Sequence, residues 1–243
     1  CGLVGYGQAA YDEMVENGSF EEITGRLKRT GGIALANGWM SPTKTAADLF
    51  SAKVKVEGIS APDNFVGSED PHDGNNYVGI RTFSYNGKEA RNYVSTKLKL
   101  PLRKNAKYCV KFYASLAEGS KYASNNLGVN FSKKQYNIDE DRSIMTQTHV
   151  MHKDNPVFNG QFGWDEVCGI YTARGGEKFL TIGNFTADGA TTQERLKKPK
   201  GFMGQQVVAA YYYIDNISVK MIDSDDECEC QADASEVETS IIY

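Results

Sequence analysis

An all-β sandwich is the fold this sequence predicts, on three observations. Segments that alternate apolar and polar residues recur along the chain with turn residues between them. The composition holds 24 Gly, 14 Tyr and 11 Phe, the balance of aromatic-rich strands joined by many turns. No long stretch repeats with helical spacing, which leaves packed sheets or a barrel.

Taken in order, the strand candidates are AKVKVEG (52–58), NYVGIRTFS (76–84), ARNYVSTKLKL (90–100), AKYCVKFYASL (106–116) and NLGVNFS (126–132). EVCGIYTA (166–173), KFLTIGNF (178–185) and VVAAYYYIDNISVKM (207–221) follow. In 106–116, Val110, Phe112, Ala114 and Leu116 fall on one face and Lys111, Tyr113 and Ser115 on the other, the pattern of a half-buried antiparallel strand. Residues 46–51 read as a short helical turn. Residues 132–163, charged and Asn-rich, read as a long surface connection. Two segments bracket the fold: NGSFEE (17–22) opens it, and YYYIDNISVK (211–220) closes the sheet. If first and last strands lie side by side, their carboxylates Glu21 and Asp215 meet. In the run Tyr211, Tyr212, Tyr213, alternation directs at least one ring away from the core, and this ring is expected to be exposed.

Net charge is −4, so no strong field draws the chain to nucleic acid or to an anionic surface, and nucleic acid is not an expected partner. The longest uncharged apolar run, 207–214, is far short of the roughly 20 residues of a membrane helix. The organisation expected is a tether over 1–16, one sandwich over 17–222 and, from the acidic stretch DSDDECECQADASEVE, a solvated linker over 223–243 that leads toward a further domain.

Five cysteines carry separate readings. Cys1, at the start of the chain, sits where signal-peptide removal leaves a lipid-modified cysteine; the alternative is an ordinary cysteine at a fragment boundary. Cys109 and Cys168 each lie in a strand, and either a disulfide across the sandwich or two buried thiols accounts for them. The CEC at Cys228 and Cys230 lacks a second ligand pair in sequence, so a local disulfide or free thiols are expected in preference to zinc.

GSFEE, GWMSPT (38–43), YVGI (77–80), SLAEGSKYASNNLGVNFS (115–132), GGEKFLTIGNF (175–185) and YYYIDNISV together resemble one module. It is the carbohydrate-binding-module-like jelly-roll domain of Bacteroidota outer-membrane lipoproteins, often placed ahead of an OmpA-like domain. The resemblance spans residues 17–222. It implies a jelly roll on the outer membrane, held by lipid on Cys1 and facing the periplasm. It implies a non-catalytic role as accessory or scaffold subunit beside an integral outer-membrane protein in assembly, secretion or gliding machinery. It also implies a structural calcium where first and last strands pair, with Glu21 and Asp215 as ligands. Asn216 stands where such closing strands often carry a second acid.

The alternative function is binding of envelope polysaccharide or peptidoglycan, which needs aromatic faces for sugar rings. Trp39, Trp164, Tyr77, Tyr85, Tyr93 and Tyr113 are the candidates, with both tryptophans expected to pack rather than bind. A glycoside hydrolase stands third: the acids Asp139, Glu140 and Asp141 lie in a charged loop and read as solvated. No GxSxG, HExxH or phosphate loop is present. His72, His149 and His152 read as surface histidines without a catalytic partner.

Overall fold

The computed structural model describes residues 13–230. Its strands are β1 (Trp39–Met40), β2 (Asp48–Ser51), β3 (Asp63–Asn64), β4 (Gly67–Ser68), β5 (Asn76–Ser84), β6 (Val94–Lys97) and β7 (Lys107–Leu116). After these come β8 (Tyr122–Ser124), β9 (Leu127–Ser132), β10 (Val150–Met151), β11 (Asp165–Thr172), β12 (Phe179–Asn184), β13 (Gln193–Arg195) and β14 (Ala209–Ile222). They form two antiparallel five-stranded sheets, β1-β6-β12-β9-β10 and β11-β7-β14-β5-β2, with two small antiparallel pairs, the hairpin β3-β4 and the long-range pair β8-β13. The all-β sandwich is the fold, and the order of its strands is that of a jelly roll. No helix among the described residues is long and apolar enough to cross a membrane.

Alternation sets the core. On β7, Val110, Phe112, Ala114 and Leu116 face the other sheet and are buried. They meet Val78 and Ile80 of β5, Tyr212 and Ile214 of β14, and Val129, Leu180 and Ile182 from the facing sheet. The outer face of the second sheet is also covered. Phe50, Tyr77, Tyr211 and Tyr213 form a second apolar cluster there with Val66 and Ala117, packed against Phe65 and Trp164. The connection 52–75 supplies Phe65 and Val66, and so roofs this end. All three of Tyr211, Tyr212 and Tyr213 are therefore buried, against the expectation of an exposed ring. Alternation assigns Tyr211 and Tyr213 to the far face correctly; it does not report that another segment covers this face. Gly79 makes room for the arrangement, since a Cβ there would lie 2.1 Å from the Tyr211 hydroxyl oxygen.

The other sheet has its own cover. Tyr136, Ile138 and Ile144, from the long connection 132–163, pack on Tyr93 and Phe185. Two local expectations fail. Residues 48–51 form strand β2, pairing with β5, and not a helical turn. Residues 52–58 form no strand: after Ala52 N–H, which donates to Asn75 O, the chain turns on local bonds, Val54 N–H to Ser51 O and Ile59 N–H to Val56 O.

Both ends of the sandwich extend past the expected boundaries. Met14 N–H donates to Val219 O at 2.8 Å, and Met14 and Val15 are buried, so residues 13–16 belong to the fold and not to a tether. At the other end, residues 223–230 are largely exposed, as expected of the acidic stretch, but are tied to the second sheet by two disulfides. Cys1, with the rest of 1–12, and residues 231–243 lie outside the described residues.

Candidate functional site

The two bracketing segments do meet. The chain at 14–18 runs beside β14, which bulges between Asp215 and Ser218, and Ile217 N–H donates to Gly18 O at 3.0 Å. Glu21 and Asp215 are both drawn to the turn at residues 72–75 that enters β5. Glu21 Oε1 accepts Asn75 N–H at 2.6 Å, and its Oε2 accepts Asn75 Nδ2 and Lys53 Nζ, both at 3.0 Å. Asp215 Oδ2 accepts Asp73 N–H at 3.0 Å and its Oδ1 accepts Asn216 N–H at 2.7 Å.

Electrostatics separate the pair. Burial raises Glu21, but Asn75 and the Lys53 ammonium outweigh it and hold the carboxyl below its usual value. At Asp215 burial wins over the backbone donors, and the carboxyl is pushed up to about 8. Calcium requires six to eight oxygen ligands. Here both carboxylates already accept N–H donors on each oxygen, and a lysine ammonium sits on one of them. Among the described residues no third acid or histidine joins them to make a ligand group. As arranged, the pair closes a turn, with every carboxylate oxygen held by an N–H donor.

The cysteines pair differently from the expectation. Cys109 bonds to Cys228 and Cys168 to Cys230, with Cα separations of 5.2 and 5.5 Å. A bridge between Cys109 and Cys168 across the sandwich is ruled out because both sit in one sheet. In the β7-β11 register Cys109 lies opposite Ile170, and Cys168 opposite Lys111. The CEC segment crosses over them and supplies both partners.

The outer face of the second sheet is thus roofed at one end by residues 52–75 and at the other by the stapled tail. Between the roofs lies a strip formed by β11, β7 and β14. His72 stacks on Tyr113, with centroids 3.7 Å apart and planes at 16°, and meets Trp164 edge-on at 5.9 Å. Trp164 Nε1 donates to Asp70 O at 3.0 Å, which fixes the indole as part of the strip's wall. Phe162, two residues earlier, is 75% exposed. Burial lowers the His72 pKa, so the ring stacks in its neutral form at pH 7.

Polar groups line the same strip. Tyr113 Oη donates to Glu166 Oε1 at 3.2 Å, and Lys111 Nζ lies 3.7 Å from the same oxygen. Glu69 accepts Ser115 Oγ at 2.6 Å, and burial raises its pKa. The strip continues under the tail into a cavity of about 410 Å³ lined by Lys111, Ser218, Lys220 and Glu227. Rings, hydroxyls, amides and carboxylates on one open strip are the groups that recognise a polyol.

The other aromatic candidates are placed elsewhere. Trp39 is buried, its Nε1 donating to Asn17 O at 2.9 Å. Tyr77 and Tyr93 are fully buried, and Tyr85 stacks on Tyr122 far along the chain from the strip. His149, expected on the surface, is half-buried and accepts Phe131 N–H through Nδ1 at 2.9 Å. Asp139, Glu140 and Asp141 are exposed, with Glu140 paired to Arg142 and Asp141 accepting from Thr45. His72, read in sequence only as a surface histidine, and Phe162, Glu166 and Ser218, none of them singled out, are the site residues that sequence reasoning missed. A phenylalanine in the Gly-rich segment GQFG was the available signal.

No protein-family model matches the sequence, and no curated protein matches it. Among solved structures the chain is similar to the CBM22-1 xylan-binding domain of Paenibacillus barcinonensis Xyn10C. The identity is 15% over 88% of this chain and 97% of that one, at a TM-score of 0.39. The K3 cleaved adhesin domain of Lys-gingipain from Porphyromonas gingivalis is similar at 14% identity over 86% of this chain and 98% of that one, TM-score 0.42. At these scores the likenesses carry no argument about what this chain binds.

Proposed function

We propose that this protein is a non-catalytic module that binds a neutral polysaccharide chain on the strip between the two roofs, in preference to the envelope-scaffold role its family resemblance implies. The observation that carries this reading is the continuous ring set His72, Tyr113 and Trp164 on an open sheet face with polar side chains beside it. A sugar presents apolar C–H faces and a rim of hydroxyls. Half-exposed rings take the faces, and Glu166, Lys111, Asn216 and Ser218 take the hydroxyls. Charge narrows the class: Glu69, Asp70, Asp73 and Glu166 outnumber Lys111 and Lys220 around the strip, so an acidic polysaccharide meets like charge.

Affinity electrophoresis through gels holding neutral polysaccharides, acidic polysaccharides or soluble peptidoglycan fragments tests the proposal. Retardation by a neutral glycan, lost in Trp164→Ala with an unchanged far-ultraviolet spectrum, is the expected result. Migration unaffected by every glycan overturns it, as does equal retardation of the variant.

A further inference from the structure

The CEC motif lacks a second ligand pair in sequence, and the fold supplies one. Cys109 on β7 and Cys168 on β11 are diagonal neighbours on one face, and Cys228 and Cys230 descend on them from the tail. The non-bonded sulfur separations are short. Cys168 Sγ lies 3.9 Å from Cys228 Sγ, and Cys228 Sγ lies 3.9 Å from Cys230 Sγ. The sulfurs of Cys109, Cys168 and Cys228 all fall within 4.8 Å of one another.

A tetrahedral zinc thiolate centre has Zn–S bonds of about 2.3 Å, hence sulfur–sulfur edges of about 3.8 Å. Two non-bonded edges, Cys168–Cys228 and Cys228–Cys230, already have this length, and Cys109, Cys168 and Cys228 lie within 4.8 Å of one another; Cys230 closes the set once its bond to Cys168 opens. Two adjacent strands and one crossing segment supply the four ligands that a closed structural site requires. The surroundings suit thiolates: Lys111 and Lys220 line the cavity at the cluster, facing Glu227 and Glu229, and the Lys111 ammonium donates to the Glu229 carbonyl.

We propose that, when its two disulfides are reduced, the protein holds one soft divalent cation, zinc by preference, in a tetrathiolate site made of Cys109, Cys168, Cys228 and Cys230. The tail then stays on the sheet through a metal centre in place of the disulfides. The chemistry balances with a dithiol reductant. Two dithiol molecules give up four electrons and four protons, becoming two disulfides, and the protein's two disulfides become four thiols. Zinc binding then displaces the four protons and forms four Zn–S bonds.

Cobalt(II) titration of the reduced full chain, without oxygen and with Cys1→Ser to remove the fifth cysteine, tests the site. Near-ultraviolet circular dichroism before and after metal reports whether the chain is folded. The expected result is saturation at one equivalent, with a thiolate-to-cobalt charge-transfer band and the intense visible bands of tetrahedral cobalt, all displaced by zinc. In the Cys228→Ser, Cys230→Ser variant these bands are lost. A folded reduced chain without the bands overturns the proposal. So do bands that persist in the double variant, and a reduced chain that stays unfolded with metal present.

Discussion

Gly18 and Ile217 touch through their backbones: the Ile217 N–H donates to the Gly18 carbonyl at 3.0 Å, and a Cβ on Gly18 would stand 2.1 Å from the Ile217 carbonyl oxygen. This is where the start of the fold is fastened to its last strand, at the bulge of β14. The obstacle is backbone, which cannot rotate aside as a side chain can. Gly18→Ala is therefore expected to destabilise the protein by about 1–3 kcal/mol, the usual cost of overpacking. Urea unfolding followed by tyrosine fluorescence measures it, and an unchanged midpoint would show that the contact yields freely.

Much of the sandwich was legible because period-2 alternation records which side of a strand is apolar. Residues 76–84 form β5 as expected, and the inner set on β7 is the one the alternation named. What covers the outer faces was not legible. The covers are irregular segments, 52–75 and 133–149, held by a few aromatic anchors and without a period of their own. The candidate site failed to appear for a related reason. His72, Tyr113, Trp164 and Asn216 are far apart in sequence and converge only through strand register. The disulfide pairing was hidden likewise, since Cys109 and Cys168 are neighbours in one sheet and neither faces across the core.

Trp164 gives the glycan-binding proposal its magnitude. Its indole is fixed by the bond to Asp70 O, so removing it deletes a preset face without freeing another ring to replace it. Trp164→Ala is expected to weaken polysaccharide binding about tenfold or more, about 1.4 kcal/mol. His72→Ala uncovers Tyr113 and is expected to have a smaller effect. Isothermal titration with the glycan found by electrophoresis separates the two, and a larger loss for His72→Ala would assign the platform to the wrong ring.

The Lys53 ammonium lies 3.0 Å from Glu21 Oε2, an oxygen for which a divalent cation would have to compete. Excess calcium or a calcium chelator is accordingly expected to leave the thermal midpoint unchanged, since a ligand stabilises only what it binds. Differential scanning fluorimetry in the two conditions checks this. A midpoint that rises with calcium would mean that the turn at 72–75 rearranges to release both carboxylates.

Each disulfide anchors a tail that has little apolar burial of its own, so cross-linking supplies most of what holds it. The bonds span 119 and 62 residues of chain. Loss of either, through paired Cys→Ser changes, is expected to cost about 2–5 kcal/mol, and slightly more for Cys109–Cys228 because its loop is longer. Urea midpoints of the two double variants rank them. Equal stability of both with the parent would mean that the tail is held by contacts other than sulfur.

Asp215 ties stability to pH with a definite sign. Its carboxyl is raised from 3.8 to about 8, chiefly by burial, so between those values the folded chain holds a proton that the unfolded chain has released. The stabilisation is complete below about 3.8 and is lost as pH rises through about 8. Asp48, Glu69 and Asp165, also raised by burial, add with the same sign, whereas Glu21 and Glu177, held low by hydrogen bonds, oppose it. The Asp215 share is isolated by Asp215→Asn, which keeps one acceptor oxygen and cannot titrate. Parent stability minus variant stability is expected to fall steadily from acid to mildly alkaline pH, with a slope of at most about 1.4 kcal/mol per pH unit. Urea unfolding of both proteins across this range measures the difference. A difference that rises with pH would mean that Asp215 is ionised in the fold, with its backbone donors outweighing burial.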